Sequence, residues 1–351
     1  MQFRVKQIPI FLALIALSGL VVGWRTESLL TRPPIVLIGS GNVFPFLEAT
    51  SSRALSKLDP LWLDVGSSGA MQQAFYGFDY GRSIASKTRV GFIAMSSNGT
   101  GSLQDLFASA DPQFRGQNYW LSMSIAKPPL TVLYRGDINK VLRITAEKRL
   151  PPDGDRSTDH SLYGSVLFAD LKNLVESNPK LDHYYFPEEG AGTRARFDAE
   201  NGSTSLKWPK MERSRDHLTE QVPDYIEELD GDFSFIELVS YPQLSRNTKE
   251  PASCDQLKKM GIRAAVVCAN SNTCDHFIPA DYELAIKVLP SSGEGSNGFV
   301  ITNRAECMIA EALSPKVNKC QFSGTLHNNI VAIDATKNAA SNFPEYLSCV
   351  P

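Results

Sequence analysis

The sequence has no run of basic residues, although it contains 35 Lys and Arg against 38 Asp and Glu. With a formal net charge of −3, this composition argues against a nucleic-acid partner. Gly at 24 and Pro at 21 are too few for a low-complexity chain, and no internal repeat of solenoid length is present. At roughly 100–200 residues per domain, a chain of 351 residues is expected to form two domains.

Metal-binding and catalytic patterns are also missing. The five histidines are scattered, and Cys274-Asp275-His276 lacks the spacing of a zinc site. Gly293–Gly298 fits the dinucleotide fingerprint literally, but the strand pattern Phe299–Thr302 follows it where a helix is required, so a hairpin or loop is expected. No nucleophile stands beside a base. We therefore predict no metal, no cofactor and no enzymatic activity.

Cysteine is absent from the first 253 residues, and all six cysteines fall in the last hundred. An even number grouped in this way is typical of structural disulfides in an oxidising compartment. Six cysteines allow fifteen pairings, and the sequence does not choose among them. Two local bridges with one long one are our preferred set: Cys268–Cys274, Cys307–Cys320 and Cys254–Cys349.

An apolar run from Ile8 to Gly23 follows Arg4 and Lys6 at the N-terminus. This is the layout of a secretory signal, and the run is short for a spanning helix, which needs about 20 residues. Residues 1–30 are therefore predicted to be a signal peptide or, alternatively, an uncleaved N-terminal anchor. Both interpretations place the rest of the chain in the periplasm or otherwise outside the cytoplasm.

Three stretches share one pattern, in which a short apolar or aromatic strand runs through small residues into a helix. Such a turn leaves backbone N–H groups at the helix start, where the helix dipole adds about half a positive charge. Three of them predict a shared anion pocket. The small-residue turns are Gly39–Asn42, Gly66–Gly69 and Gly190–Thr193.

The alternation of strand and helix patterns predicts an α/β fold with parallel strands. In such sheets ligands bind beyond the carboxyl ends of the strands, where the first two turns lie. Further along the chain, Leu167, Leu171 and Leu174 recur at helical spacing, which predicts a helix from Leu162 to Glu176.

Several motifs, taken in order, resemble the periplasmic phosphate-binding protein family, the solute receptors of phosphate ABC transporters. The similarity covers about Ile35 to Tyr282. The motifs that carry it are Gly39-Ser40-Gly41 with Phe44-Pro45, Gly66–Gly69 with Asp79-Tyr80-Gly81, Gly190–Thr193 with Phe197, the strand Ser234–Leu238, Ala264-Ala265-Val266, and His276–Pro279.

The resemblance implies a two-lobed periplasmic-binding-protein-like fold, each lobe a sheet flanked by helices, joined by two crossover strands. It places residues 31–122 with 239–351 in lobe one, and residues 123–238 in lobe two. The implied function is to hold phosphate or another small oxyanion in the interlobe cleft, with an inner-membrane ABC permease as partner. The implied ligand-contacting residues are Ser40, Gly41, Val43, Phe44, Ser67, Arg82, Gly192, Thr193 and Arg194.

The sequence departs from the family at several expected ligand contacts. Val43 replaces a Thr, Ala191 replaces a hydroxyl donor, and Pro187 stands where the family has an Arg. The family's Asp falls at Ser83 or Ile84, neither of which is a carboxylate.

Positive charge would then come from Arg82, Arg194 or Arg196. Two alternatives to a solute receptor stay open: a sensory or interaction module without a ligand, and a phosphatase-type enzyme on the same scaffold.

Overall fold

A computed structural model describes residues 32–76, 90–98, 119–136, 138, 142–149, 162–177, 183–185, 187, 191–202, 234–240, 254–269, 277–291 and 298–336. Several predictions lie outside these residues, among them those for residues 1–30, for the Asp79-Tyr80-Gly81 motif, for Arg82, for most of Gly293–Gly298, and for Cys274 and Cys349. None of the helices in the described ranges has the length and apolar character needed to cross a membrane.

The described chain alternates strands and helices, as its sequence pattern predicts. The strands are β1 (Pro34–Gly39), β2 (Asp59–Asp64), β3 (Gly91–Ser96), β4 (Tyr119–Ala126), β5 (Thr131–Arg135), β6 (Thr145–Arg149), β7 (Leu162–Leu167), β8 (His183–Tyr185), β9 (Phe235–Val239), β10 (Arg263–Cys268), β11 (Tyr282–Pro290), β12 (Gly298–Val300), β13 (Gln321–Ser323), β14 (Leu326–His327) and β15 (Ile330–Asp334). The α-helices are α1 (Phe44–Leu55), α2 (Ser67–Tyr76), α3 (Phe168–Ser177), α4 (Gly192–Glu200), α5 (Cys254–Lys259) and α6 (Arg304–Leu313), and a 3-10 turn, Gly41–Val43, leads into α1.

The strands form two sheets. The first has the order β14-β15-β4-β11-β3-β1-β2, with β12 and β13 attached beside β11; the second has the order β6-β7-β10-β5-β9-β8. In the first sheet β1 is parallel to both β2 and β3, and β11 runs antiparallel between β3 and β4. Each sheet, together with its helices, is one lobe.

The chain passes between the sheets twice, after Ala126 and after Cys268. The two passing segments hydrogen-bond to each other: the Leu130 N–H donates to the Ile278 carbonyl at 2.7 Å, and the Ala280 N–H donates to the Pro128 carbonyl at 2.7 Å. Paired segments at this position form a short two-stranded connection between the lobes.

These crossings differ from the predicted lobe boundaries. The prediction began lobe two at residue 123 and returned to lobe one at residue 239, whereas β4 stays in the first sheet as far as Ala126. Strand β10 stays in the second sheet because it pairs antiparallel with β5 and parallel with β7. The hydrophobic strand pattern alone does not indicate which neighbours a strand will pair with.

Apolar side chains cover both faces of the first sheet. On one face Leu37 and Ile93 pack in the core that also contains Phe46 of α1 and Ile309 of α6. On the other face Trp120, Ile38 and Ala94 pack against Met71 and Ala74 of α2. At about 25 cal/mol per Å² of apolar surface, this two-sided burial is the main source of stability of the first lobe.

The predicted helix from Leu162 to Glu176 is correct only for its second part. Residues Leu162–Leu167 form β7, which pairs with β10 and β6, and α3 begins at Phe168. The helical spacing of Leu171 and Leu174 belongs to α3, where both side chains are buried. Tyr163 and Val166 favour a strand, and two neighbouring strands complete its hydrogen bonds.

One local sequence signal fixes the start of α6. The Asn303 side-chain oxygen accepts the N–H groups of Ala305 and Glu306, which is a helix N-cap. The Glu306 carboxylate in turn accepts the Phe92 N–H of β3 at 2.7 Å. These contacts fix α6 against the first sheet.

The predicted bridge between Cys307 and Cys320 is confirmed: it joins α6 to the residue preceding β13. Cys268 is also disulfide-bonded. The side chains of Cys254, Cys274 and Cys349 lie outside the described residues, so the pairing of Cys268 with Cys274 and of Cys254 with Cys349 stays a prediction.

We predict that the double substitution Cys307→Ser and Cys320→Ser lowers the free energy of unfolding by about 3 kcal/mol. The bridge spans a sequence separation of 13 residues, and closing a loop of this size restricts the unfolded chain by that order. Urea unfolding of both proteins measures the difference. In a reducing buffer the two proteins should unfold alike; a difference that persists there would contradict the entropic explanation.

Candidate functional site

The candidate site lies at the carboxyl ends of three adjacent parallel strands. Strands β2, β1 and β3 are neighbours, and each is followed by a small polar residue that is buried: Ser67, Ser40 and Ser97 respectively. Gly39 ends β1 with a φ of +151°, and a Cβ there would lie 2.0 Å from the Met95 carbonyl oxygen. Glycine is therefore required at Gly39 so that the first turn can lie against the end of β3.

The first turn uses its backbone N–H groups within its own lobe. The Ser40 N–H donates to the Met95 carbonyl at 3.2 Å, and the Val43 N–H donates to the Ser40 carbonyl at 3.0 Å. The Gly41 N–H donates to Asp64 Oδ1 at 3.2 Å, and the Phe44 N–H donates to the Gly41 carbonyl. The sequence interpretation had assigned these N–H groups to a ligand; the structure gives them intramolecular acceptors.

Two buried hydroxyls lie at the same edge of the sheet, one from the second turn and one from the residue that follows β3. Ser67 Oγ accepts the Ser97 N–H at 3.0 Å and lies 3.1 Å from Ser97 Oγ. Both residues are almost fully buried, with exposed fractions of 0% and 1%. Since the backbone fixes Ser67 Oγ, the pair is a rigid source of hydroxyl groups at the end of β3.

The start of α4, in the second lobe, faces this pair. A Cβ built on Gly192 would lie 2.2 Å from Ser97 Oγ and 2.6 Å from Ser67 Oγ, so the backbone of Gly192 packs directly on the two hydroxyls. The N-cap residue Ala191 makes no side-chain cap, and the first helical bond runs from the Ala195 N–H to the Ala191 carbonyl. This helix start therefore directs backbone N–H groups and partial positive charge towards the first lobe.

Beside Gly192, four side chains form a buried hydrogen-bond network that joins the lobes. Ser240, which follows β9, accepts from Asn42 Nδ2 at 3.2 Å and from Thr193 Oγ1 at 3.1 Å, and its Oγ lies 2.8 Å from the Tyr282 hydroxyl. Asn42 and Tyr282 belong to the first lobe, whereas Thr193 and Ser240 belong to the second. We call these four residues the interlobe network.

The arginines of α4 form ion pairs along their own helix. Arg194 Nε lies 3.9 Å from Asp198 Oδ2, and Arg196 lies 3.2 Å from Glu200 Oε2. Arg196 Nε also donates to the Pro279 carbonyl at 2.9 Å, in the segment that leads back to the first sheet. In the described structure both side chains are thus engaged by carboxylates four residues further along α4.

The structure brings together Ser67, Gly192 and Thr193 of the predicted ligand residues. It adds Ser97, Ser240 and Tyr282, which sequence reasoning missed, and Asn42, which the sequence indicated only as the last residue of the first turn. Ser97 and Ser240 follow strands directly, so the rule that selected the first turns, a small polar residue after a strand, could have found them.

A buried acid lies next to the network in β11. Glu283 has an exposed fraction of 5% and accepts a hydrogen bond from Ser122 Oγ at 2.8 Å. Burial, and secondarily the negative charge of Asp281, raises the pKa of Glu283 to about 8. Asp281 itself accepts from Ser124 Oγ at 2.7 Å. At neutral pH Glu283 is therefore mainly protonated and uncharged.

Two α/β lobes joined by two paired segments define the two-lobed, periplasmic-binding-protein-like fold that the sequence predicted. No protein-family model matches the chain. No curated protein matches it either.

Solved structures similar to this chain include two kinds of protein. A putative phosphate ABC transporter substrate-binding protein with bound phosphate, from Clostridium perfringens, is 11% identical with a TM-score of 0.42, over 83% of this chain and 100% of that one. A possible phosphate binding protein from Planctomyces limnophilus is 9% identical with a TM-score of 0.34, over 73% and 81%. The C206 mutant of OxyR from Corynebacterium glutamicum is 11% identical with a TM-score of 0.38, over 96% and 76%. Similarities this low identify no ligand.

We predict that Glu283→Gln makes the stability less sensitive to alkaline pH. The folded state raises the pKa of Glu283 to about 8, so it binds the proton more tightly than the unfolded chain does. The stability of the native protein should therefore fall as pH rises from about 4.5 to about 8, and the variant, which cannot ionise, should lose this part of the decline.

Melting temperatures between pH 5 and pH 9 measure this effect. Asp334→Asn is the matched control, because hydrogen bonds from Thr336 lower the pKa of Asp334 and its ionisation is complete below this range. Equal slopes for the wild type and Glu283→Gln would contradict the assignment.

We predict that Gly192→Ala destabilises the contact between the lobes, because the added Cβ would overlap both Ser97 Oγ and Ser67 Oγ. Overpacking of this kind costs about 1–3 kcal/mol. Gly69→Ala is the control, since its Cβ would meet nothing closer than Val65 Cγ2 at 3.7 Å. Thermal unfolding should show a loss for Gly192→Ala and none for Gly69→Ala; equal melting temperatures would show that the close contact is absent in solution.

Proposed function

We propose that this chain is an exported solute-binding protein that holds a small oxyanion, phosphate or a chemically similar ion, between its two lobes. The observation that carries the proposal is the start of α4 facing Ser67 and Ser97 across the lobe boundary. A helix N-terminus and neutral hydroxyls are suitable donors for an anion, and neither requires a metal.

The proposed binding mode differs from that implied by the family resemblance. The N–H groups of the first turn have acceptors within the first lobe, so the donors offered to the anion are Ser67, Ser97 and the backbone of α4. Gly192 lies directly on the two hydroxyls, and the lobes would therefore separate to admit a ligand before closing on it.

Export and delivery belong to the same proposal. The N-terminal sequence pattern supports export, and the two-lobed fold is suited to presenting a captured solute to an inner-membrane ABC permease. The proposal assigns no catalytic step to this chain. Fractionation of cells that produce the full chain, followed by immunodetection, tests the export; recovery in the cytoplasmic fraction alone would contradict it.

A second candidate is a sensory or interaction module that takes no ligand. It is favoured by the direct packing of Gly192 on Ser67 and Ser97, and by the Asp64 carboxylate, which accepts the hydrogen bond of the Gly41 N–H. A negative charge at the first turn and a filled lobe contact both oppose an incoming anion.

Isothermal titration calorimetry with phosphate, sulfate and small carboxylates distinguishes the two candidates. We predict that at least one anion binds, and that Ser97→Ala weakens that binding about ten- to hundredfold, because a hydrogen bond to a charged group contributes roughly 1.5–3 kcal/mol and about 1.4 kcal/mol is a factor of ten. Ser97→Ala keeps the Ser97 N–H that donates to Ser67 Oγ, so the local backbone is preserved.

Ser51→Ala is the matched control for this titration. Ser51 is a buried serine of α1 whose hydroxyl donates to the Leu47 carbonyl within the same helix. Its variant should bind the anion as the wild type does. If every anion gives no heat at millimolar concentration, the receptor proposal fails and the ligand-free module is supported.

A further inference from the structure

The interlobe network differs from an ordinary surface contact because all four of its side chains are buried. The exposed fractions are 0% for Ser240 and Tyr282, 5% for Thr193 and 6% for Asn42. Two of its hydrogen bonds, from Asn42 to Ser240 and between Ser240 and Tyr282, join residues of different lobes. The network is therefore a direct hydrogen-bonded contact between side chains of the two lobes.

The directions of these hydrogen bonds follow from counting protons. A serine hydroxyl has one proton and two acceptor positions. Ser240 Oγ accepts from both Asn42 Nδ2 and Thr193 Oγ1, which uses both acceptor positions. Its own proton is therefore donated to the Tyr282 hydroxyl oxygen at 2.8 Å. Every hydrogen-bonding position of Ser240 is filled by the network.

The surrounding contacts position this network in both lobes. The ring of Tyr282 packs edge-on against Phe46 of α1, with ring centroids 5.0 Å apart. Tyr282 also begins β11, which is held between β3 and β4, while Thr193 lies at the second residue of α4. Because the partners are fixed by a sheet and a helix, the bonds form without ordering a flexible loop.

We propose that the interlobe network is a latch that keeps the two lobes closed when the cleft holds no ligand, with Ser240 as its central residue. Opening the cleft breaks the two hydrogen bonds between the lobes and exposes their polar groups to water. Thr193 has a single hydroxyl proton, which it donates to Ser240, so a ligand can accept that proton only after this bond breaks. The latch thus opposes solute entry and favours the closed arrangement of the lobes.

The proposal goes beyond solute binding and does not depend on it. It concerns the lobe separation in the absence of any anion, and a chain that binds no anion leaves it intact. Conversely, if the latch proposal is wrong, the anion-binding proposal still holds, because Ser67 and Ser97 are not part of the interlobe network.

The test measures the distance between the lobes in anion-free buffer. Nitroxide labels are placed at Ser52→Cys on α1 and Asn173→Cys on α3, both of which are exposed helix positions in different lobes. Double electron–electron resonance on the full chain should give a single, short distance between the two labels when the protein is otherwise unchanged. A broad or long distance in this anion-free sample would overturn the proposal.

Tyr282→Phe and Ser240→Ala remove the latch in two ways. Tyr282→Phe removes only the hydroxyl and keeps the ring that packs on Phe46, so we expect it to preserve the fold. Ser240→Ala is the more disruptive change, because it leaves several hydrogen-bonding partners unsatisfied. We expect each to raise the ratio of open to closed molecules about tenfold, since breaking a buried hydrogen bond leaves its partner unsatisfied.

Two matched controls remove hydroxyls whose contacts stay within one lobe. Tyr134→Phe removes a hydroxyl of β5 that hydrogen-bonds to Arg263 of β10, and Ser51→Ala removes one within α1. Both should keep the short distance. If Tyr282→Phe is folded by circular dichroism and keeps the distance distribution of the controls, the latch proposal is wrong.

Discussion

The structure depends on the return of the chain to the first sheet as β11. This strand lies antiparallel between β3 and β4, and so it connects the two halves of the first sheet. The other central strands, β1, β3 and β4, all precede the second lobe in the chain. Its first residue, Tyr282, and the neighbouring Asp281 and Glu283 each contact a serine: Ser240, Ser124 and Ser122 respectively. The strand that closes the sheet thus also fixes the lobes relative to each other.

The polar groups beside β11 are mostly neutral, and this bears on the anion binding proposed for this chain. The Ser67–Ser97 pair and the interlobe network consist of hydroxyls and one amide, while burial, with the nearby charge of Asp281, raises the pKa of Glu283 to about 8. The α4 arginines form ion pairs with Asp198 and Glu200. An anion in this cleft would therefore rely on hydrogen bonds and the α4 dipole more than on salt bridges to these arginines, which suits modest affinity and easy release.

Much of the fold could be predicted from local patterns, and the exceptions have a common cause. The strand-turn-helix order around Gly39–Asn42 was predicted, and β1 and α1 confirm it, because apolar spacing and turn residues are local features. Leu162–Leu167 was predicted as a helix, yet it is a strand because β6 and β10 lie on either side of it. The same dependence on distant partners places β10 in the second sheet.

Local sequence patterns account for most of the strands and helices, for the small-residue turns after the strands, and for a cysteine pair close enough in the chain to bridge, Cys307–Cys320. Which donors and acceptors meet depends on the tertiary structure. The Gly41 N–H donates to Asp64, 23 residues away in the sequence, and Asn42 donates to Ser240, 198 residues away. A turn's sequence fixes how many N–H groups it presents, but the acceptors are brought to it by sheet pairing and lobe contact, which no local pattern encodes.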